Sequence, residues 1–221
     1  MPLDNFDNDT FLAFTDISGF KKMMSREQGV PAIRALDNFF REGYQALSSQ
    51  RKTGPRVDGL FISDCGILFV RNPQERPALR LNALLRVVRD LNQRLLPHHL
   101  MLTTSIAYGQ FRFENRIEFQ GIEKNNVFGN AYVNAYLDQV GGFHKLQPGK
   151  CRVLLKNLPE QILNEAANAN NDCHQITKKD KHYLHYYWMC NSADQIEGFE
   201  NRYEDAPYEG ILRALQPNHN N

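Results

Sequence analysis

The sequence lacks a charge bias, a long apolar run and close cysteine pairs, and each absence excludes a class of protein. Its 26 lysines and arginines nearly balance 25 aspartates and glutamates, so charge favours neither nucleic acid nor membrane as partner. No stretch reaches the roughly eighteen apolar residues of a membrane-spanning helix, and MPLDNFDNDT has no signal-peptide pattern. The four scattered cysteines indicate free thiols in a reducing compartment. We therefore expect a cytoplasmic protein without a nucleic-acid or membrane partner.

The chain contains enough apolar residues to build a core. Hydrophobic residues make up 42% of its 221 residues, and charged residues make up 23%. This composition is typical of a folded domain rather than of a disordered chain. We expect one domain over 1–221, with its core at about 10–192 and a C-terminal tail at 193–221.

The order of apolar patterns predicts the fold class. Residues 10–17 form a short apolar run, residues 30–47 repeat apolar positions at helical spacing, and 56–70 is typical of a hairpin. A second helix is predicted at about 78–96 and a strand at 100–108. This order predicts an α+β protein with a ferredoxin-like βαββαβ core, an antiparallel sheet carrying two helices on one face.

The sequence after residue 108 predicts further helices and strands outside that core. We expect an irregular hairpin arm at 112–121, a short helix at 131–139 and a helix near 159–168. Two further strands are predicted at 151–155 and 183–190.

Two aspartates at the predicted strand ends indicate a metal site. Asp16 ends the first apolar strand, and Asp64 lies near the tip of the hairpin. In a βαββαβ core both carboxylates emerge at the same end of neighbouring strands, where they repel unless a cation lies between them. Mg²⁺ and Mn²⁺ suit such oxygen ligands. The Ser18-Gly19 turn leads into a helix whose backbone N–H groups can face a triphosphate. Taken singly, each aspartate is more often a cap or turn residue.

Six segments in sequence order resemble the motifs of class III nucleotide cyclases. FTDISGF and FISDCGILFV resemble the two metal-binding motifs of this family, and SIAYG resembles the strand after its second helix. VFGNAYVNAYLDQ, QPGKCRVLL and ITKKDKHYLHYYWM resemble its later helix, Pro-Gly turn and closing hairpin. The residues around Asp64 and in GNAYVNAY are most similar to those of the bacterial anti-phage pyrimidine cyclases of the Pycsar type.

The resemblance implies roles for individual residues. Asp16, Asp64 and the backbone carbonyl of Ile17 would bind two Mn²⁺ or Mg²⁺ ions. Ser18, Gly19 and Phe20 would face the nucleotide. Asn134 matches the transition-state asparagine after a one-residue shift. Lys179, with Lys178 or Lys181 as substitutes, matches the phosphate-binding lysine, although a solvated turn explains this lysine cluster equally well.

The sequence departs from the purine-specific members of the family at the positions that read the base. The lysine of adenylate cyclases is replaced by Leu60, beside Phe61, and the acidic partner position is about Asn126. A bulky apolar residue at 60 or 61 would shrink the pocket and favour a pyrimidine, while Asn126 offers both a donor and an acceptor. The resemblance therefore favours UTP as the substrate.

A second departure concerns the transition-state arginine. Its position is occupied by Asp138, and the sequence does not distinguish Arg112, Arg116 or another cation as a replacement. In the family, active sites form between two domains, which implies a head-to-tail homodimer with two composite sites.

These observations predict a uridylate cyclase that makes 3′,5′-cyclic UMP and pyrophosphate. The resemblance implies that the product is a second messenger for a separate effector in antiviral defence. The alternatives are a cytidylate or adenylate cyclase with the same mechanism, and a degenerate cyclase-like domain that binds nucleotide. A more distant alternative is an RNA-binding ferredoxin-like module, in which strand aromatics stack on bases.

Overall fold

The first strand is the centre of the fold. A computed structural model describes residues 3–26, 29–50, 54–117, 121, 123–141, 145–165 and 176–216. Strand β1 (Phe6–Ile17) pairs antiparallel with β3 (Cys65–Val70) on one side and with β4 (Leu102–Ile117) on the other. Strand β2 (Val57–Ile62) continues the sheet beyond β3. These four strands, with the helices between them, form the predicted βαββαβ core, which is therefore confirmed.

Two long helices cover one face of this sheet. Helix α2 (Val30–Gln50) follows the short helix α1 (Phe20–Met24), and α3 (Pro77–Leu95) leads into a 3-10 turn at Leu96–His98. The buried positions of α2 recur at steps of three and four residues, which places them on one stripe facing the core. They pack with odd-numbered β1 residues such as Phe11 and Ala13 in one large apolar cluster.

A third helix lies on the opposite face. Helix α4 (Asn130–Gly141) buries Ala131 and Ala135 in a second cluster with the even-numbered β1 residues Leu12 and Phe14. Because side chains alternate along a strand, the two clusters occupy opposite faces of β1. Asp16 has the same parity as Phe14 and lies on the α4 face.

The rest of the chain widens the sheet. The described strands form one eight-stranded sheet in the order β2-β3-β1-β4-β6-β8-β7, and β5 (Glu123–Phe128) pairs with the distal part of β4. Strand β6 (Cys151–Leu154), outside the antiparallel core, runs parallel to β4. The crossover through β5 and α4 returns the chain in the same direction, which permits this parallel pair. Strands β7 (Thr177–Lys179) and β8 (Tyr183–Tyr186) form the closing hairpin.

The C-terminal segment contains helices that the sequence analysis did not predict. Helix α5 (Glu160–Glu165) confirms the start of the predicted helix near 159–168, whose end lies outside the described residues. The tail forms α6 (Gln195–Asp205) and α7 (Pro207–Leu215). Tyr208 donates a hydrogen bond to the Leu96 carbonyl, which ties α7 to the core. No helix in the described ranges has the length and apolarity to cross a bilayer.

Candidate active site

Strand register brings the two candidate acids together. Asp16 lies opposite Cys65, the first residue of β3, and Asp64 occupies the turn immediately before it. The Ile17 N–H donates a hydrogen bond to the Asp64 carbonyl over 3.0 Å, which ties the end of β1 to this turn. Ligand atoms of Asp16, Asp64 and Cys65 all lie within 4.8 Å of one another. The predicted proximity of the carboxylates is confirmed, and their donor set fits a hard divalent cation.

The turn that presents Asp64 adopts an uncommon backbone conformation. Residue Ser63 has φ 55°, in the left-handed region that few non-glycine residues occupy. Residues Ser63 and Asp64 are the whole connection between β2 and β3, because Ile62 pairs with Cys65. This two-residue connection places Asp64 at the end of the β2–β3 hairpin, next to the end of β1.

Burial makes a negative charge at this site unfavourable unless a cation balances it. Burial raises the pKa of the Asp16 carboxyl to about 6; the hydrogen bond from the Cys65 thiol, 3.4 Å long, opposes the rise, and the charge of Asp64 adds to it. Burial also raises the pKa of the Cys65 thiol to about 12, with further contributions from both aspartates. A bound cation would relieve these penalties, as the sequence argument predicted.

A cavity of about 560 Å³, hereafter the acid pocket, opens beside Asp16. It lies between the end of β1, the C-terminal turn of α4 and the segment before β6. Its lining comprises Phe14, Asp16, Ser18, Gly19, Lys22, Cys65, Thr103, Tyr136, Gln139, Val140, Lys145, Leu146, Gln147 and Pro148. A pocket of this size suits a small organic ligand.

Ser18, Gly19 and Phe20, the residues predicted to face the nucleotide, have three different environments. The Ser18 hydroxyl is buried and has no hydrogen-bond partner in the described part of the chain. Gly19 has φ 80° and is followed by α1, and a Cβ at Gly19 would meet nothing within 4 Å. Phe20 is buried in the α2–α3 core, so only its backbone is available to a nucleotide.

Asp138, at the position of the missing arginine, holds a buried arginine from another element. Arg152 of β6 donates to the Asp138 carboxylate over 2.8 and 3.0 Å, and both side chains are almost fully buried. Ser105 and Tyr183 donate to the same carboxylate over 2.6 and 2.8 Å. This network, hereafter the Asp138 cluster, fixes α4 to β4, β6 and β8.

Asn134 lies one helical turn before Asp138. Positions four apart share a helix face, so Asn134 lies on the side of α4 toward β6 and β8. Tyr132 and Tyr136, by contrast, contact Phe14 of β1, with ring centroids 6.3 and 5.4 Å apart. Asn134 is therefore directed away from the Asp16 side of its own helix.

The candidate phosphate lysine lies far from the acids of the same chain. Lys179 is exposed at the end of β7 and pairs with Leu184, whereas Thr177, at the other end of that strand, pairs with Tyr186. Following the pairings across β8, β6 and β4 places Lys179 level with Ala13 but on the last strand of the sheet, with three strands between it and β1. Of its suggested substitutes, Lys178 pairs with Glu200, and Lys181 is exposed in the same turn.

The candidate base-reading residues do not share one pocket. Leu60 lies in the α4-face cluster, whereas Phe61 lies on the other face against Phe39 of α2, with ring centroids 5.1 Å apart. Adjacent strand residues point to opposite faces, so only one of them can face a site beside α4. Of the two, Leu60 is therefore the one that lies on the α4 face. Half-buried Asn126 lies on β5, opposite Glu114.

The candidate replacement arginines are paired on the distal part of β4. Arg112 and Arg116 both contact the Glu114 carboxylate. Phe111 and Phe113 on the same strand are fully buried, so their rings are not available to stack on RNA bases.

The two lysines of the acid pocket were not predicted from the sequence. Lys22 comes from α1 and Lys145 from the segment after α4. Neither belongs to a chemical motif, and only the fold brings them to one cavity.

Comparison with known proteins identifies the fold. A scan of protein-family models and a search of curated proteins give no match. Solved structures do match, among them the adenylyl cyclase CyaB from P. aeruginosa, at 15% identity and TM-score 0.53, covering 83% of this chain and 95% of that one. A non-canonical dimeric guanylyl cyclase domain of the RhoGC fusion protein from Blastocladiella emersonii matches at 10% identity and TM-score 0.61, covering 84% of this chain and 97% of that one.

A third match contains a bound nucleotide. The guanylate cyclase domain of RhGC from Catenaria anguillulae, in complex with GTP, matches at 11% identity and TM-score 0.57, covering 84% of this chain and 97% of that one. At these identities the likeness shows the fold alone. The chain has the fold of class III cyclase domains, in agreement with the predicted fold class.

Proposed function

We propose that the chain is a nucleotide cyclase that converts a nucleoside triphosphate into a 3′,5′-cyclic monophosphate and pyrophosphate. The observation that carries this proposal is the acid pair: Asp16 and Asp64 meet beside a ligand-sized pocket at one end of the central strand. Its occurrence in a cyclase fold supports the assignment.

The proposed cofactor is a pair of Mn²⁺ or Mg²⁺ ions. Asp16, Asp64 and the carbonyl of Ile17 would hold them, and the two carboxylates within 4.8 Å of each other fit this role. When bound, such ions lower the pKa of the ribose 3′-hydroxyl and offset the charge of the polyphosphate.

The residues of the chain orient the substrate for in-line attack. The 3′-oxygen forms a bond to the α-phosphorus while the bond to the bridging oxygen breaks, and pyrophosphate leaves. The Ser18 hydroxyl and the backbone at Gly19 and Phe20 face the phosphates. Asn134 hydrogen-bonds the reacting groups, and Lys179 binds phosphate, where a fixed cation stabilises the developing charge.

These roles require two copies of the chain. Lys179 lies on β7, with β8, β6 and β4 between it and the strand that carries Asp16, and Asn134 faces away from the Asp16 side of α4. A head-to-tail homodimer would place these two residues beside the acids of the partner copy. The proposed active sites are therefore composite.

UTP is the proposed substrate, and cyclic UMP the proposed product. Leu60 is buried on the α4 face and would narrow the base pocket. Asn126 would offer a donor and an acceptor to the pyrimidine edge. The product would act as a second messenger, read by a separate effector in cytoplasmic anti-phage defence.

The first test is incubation of the purified chain with Mn²⁺ and ATP, GTP, CTP or UTP in separate reactions, with mass identification of the products. Cyclic UMP that disappears when a chelator is added is the expected result. Cyclic CMP or cyclic AMP would keep the mechanism and contradict the base assignment. No cyclic product from any of the four would favour a nucleotide-binding domain without turnover, a second candidate that the engagement of Arg152 by Asp138 supports.

The acid pair is tested by Asp16→Ala and Asp64→Ala. Each change removes a metal ligand and is expected to lower turnover by at least about a thousandfold. Asp9→Ala, an exposed aspartate on the same strand, is the control and should retain activity. Full turnover by Asp64→Ala would contradict the metal assignment.

A further inference from the structure

The acid pocket carries two cations whose role the motifs do not define. Lys22 and Lys145 are the basic side chains among its described lining residues. Lys22 lies on α1, three residues after Gly19, and Lys145 precedes the turn formed by Pro148 and Gly149. The two lysines therefore reach the cavity from separate segments, one beside the metal acids and one beyond the end of α4.

Opposite charges in one pocket define the kind of ligand it fits. Asp16 and Asp64 would be neutralised by divalent ions, which leaves the two ammonium groups without an anionic counterpart among the described lining residues. A nucleoside triphosphate carries about four negative charges, and bound metal ions balance only part of them. Ammonium groups are suited to phosphate oxygens as compact point charges.

An unpartnered hydroxyl supports the same ligand. The Ser18 oxygen is buried at the pocket and has no hydrogen-bond partner in the described residues. A buried hydroxyl without a partner is costly, and rotation about its Cα–Cβ bond would let it donate to a phosphate oxygen in the pocket that Ser18 lines. Gln139 of α4 and Thr103 of β4 also line the pocket, and the Gln139 amide donates a hydrogen bond to the Thr103 hydroxyl. Both of these lining side chains are neutral.

We propose that Lys22 and Lys145 bind the β- and γ-phosphates of the substrate in the same chain that supplies Asp16 and Asp64. This inference rests on the proposed cyclase function. It divides the recognition of the substrate between two copies: the acid-bearing copy holds the polyphosphate, and the other copy supplies Asn134 and Lys179. Lys22 and Lys145 also hold the pyrophosphate product until it leaves.

The test is calorimetric binding of inorganic tripolyphosphate to the full chain in the presence of Mn²⁺. We expect Lys22→Ala and Lys145→Ala each to weaken binding about tenfold, and the double variant about a hundredfold, because each removes one charge-assisted contact. Lys→Arg at either position should restore most of the affinity. Lys21→Ala and Lys156→Ala are the controls, since both lysines are exposed and lie outside the pocket lining.

The outcomes separate this inference from the cyclase proposal. Wild-type affinity in both pocket variants, equal losses in the controls, or no binding by the wild-type chain would each overturn the inference. Pocket-specific loss without cyclic product from any nucleotide would support the phosphate site and contradict the cyclase. In an active enzyme, Lys22→Ala should raise KM for the nucleotide and the inhibition constant of pyrophosphate more than it lowers kcat.

Discussion

At the scale of single residues, the candidate site is held in an unfavourable charge state. Burial raises the pKa of Asp16 to about 6, so at neutral pH the metal-free fold keeps a carboxylate charged in a half-buried position. Such a group contributes stability below its unfolded pKa of 3.8, and this contribution is lost as pH rises through about 6. The residue proposed to bind metal is thus expected to destabilise the metal-free protein at neutral pH.

We therefore expect Asp16→Asn to raise the free energy of unfolding of the metal-free protein. The gain should be about 1 kcal/mol at pH 7.5, a value reduced for solvent screening of this half-exposed group. It should shrink below pH 6, where wild-type Asp16 takes up a proton. Urea unfolding with chelator at pH 7.5 and 5 measures it, and Asp9→Asn, exposed on the same strand, should change the free energy by less than about 0.5 kcal/mol. A pH-independent gain would contradict the assignment.

The sequence was sufficient to predict the acids and insufficient to predict the lysines. Asp16 and Asp64 each end an apolar strand within one βαββαβ unit, so local pattern and topology together predict their proximity. Lys22 and Lys145 are separated by most of the chain and meet only through the path of α4. The alternation of strand side chains, which places Leu60 and Phe61 on opposite faces, was in contrast readable from the hairpin pattern.

At the scale of elements, α4 is positioned by charge rather than by apolar packing alone. Its buried residues are Ala131, Ala135 and Asp138, two small residues and one acid, and the rings of Tyr132 and Tyr136 pack beside them against Phe14. The Asp138 cluster therefore contributes much of what holds this helix, and Asn134 with it, on the sheet. The position read in the sequence as a vacant arginine site is a structural anchor, which was not predictable because Arg152 belongs to a different strand.

Removing Asp138 should destabilise the fold strongly. Asp138→Ala leaves the Arg152 guanidinium buried without its carboxylate, which costs about 3–5 kcal/mol in comparable cases. Chemical unfolding measures the loss. The double variant Asp138→Leu with Arg152→Met should recover most of it, since it removes both charges together. Ser105→Ala, which removes one neutral donor, should cost only about 1 kcal/mol. Equal losses for Ser105→Ala and Asp138→Ala would contradict the role of the ion pair.

The tail shows how much helical spacing alone can predict. Ile196, Phe199 and Tyr203 recur at steps of three and four and form the buried face of α6, a pattern available in the sequence. The sequence does not show which segment this face of α6 packs against. Lys150 lies over the Tyr203 and Phe199 rings, 4.0 and 4.9 Å from their centroids, so α6 packs against the segment that borders the acid pocket.

At the scale of the whole molecule, the distribution of functional residues and the exposed apolar surface favour the same assembly. Four apolar residues of α4 leave 41–61% of their surface exposed: Val133 and Leu137 on the side away from the sheet, and Tyr136 and Val140, which also line the acid pocket. A contiguous apolar face of this kind is typical of a protein interface. Because Tyr136 and Val140 border the acid pocket, a second copy bound to this surface would lie next to Asp16.

Composite sites predict that two inactive variants restore activity when their subunits mix. Asp64→Ala loses the acids of its own copy, and Lys179→Ala loses the phosphate contact that it supplies to its partner. In an equal mixture half of the dimers are heterodimers, and each has one intact site, so about a quarter of wild-type activity should return. The measurement is cyclic nucleotide formation after subunit exchange. The control mixture, Asp16→Ala with Asp64→Ala, should remain inactive, because each site then lacks one acid. No recovery in the first mixture, or recovery in both, would contradict the division of the active site between two copies.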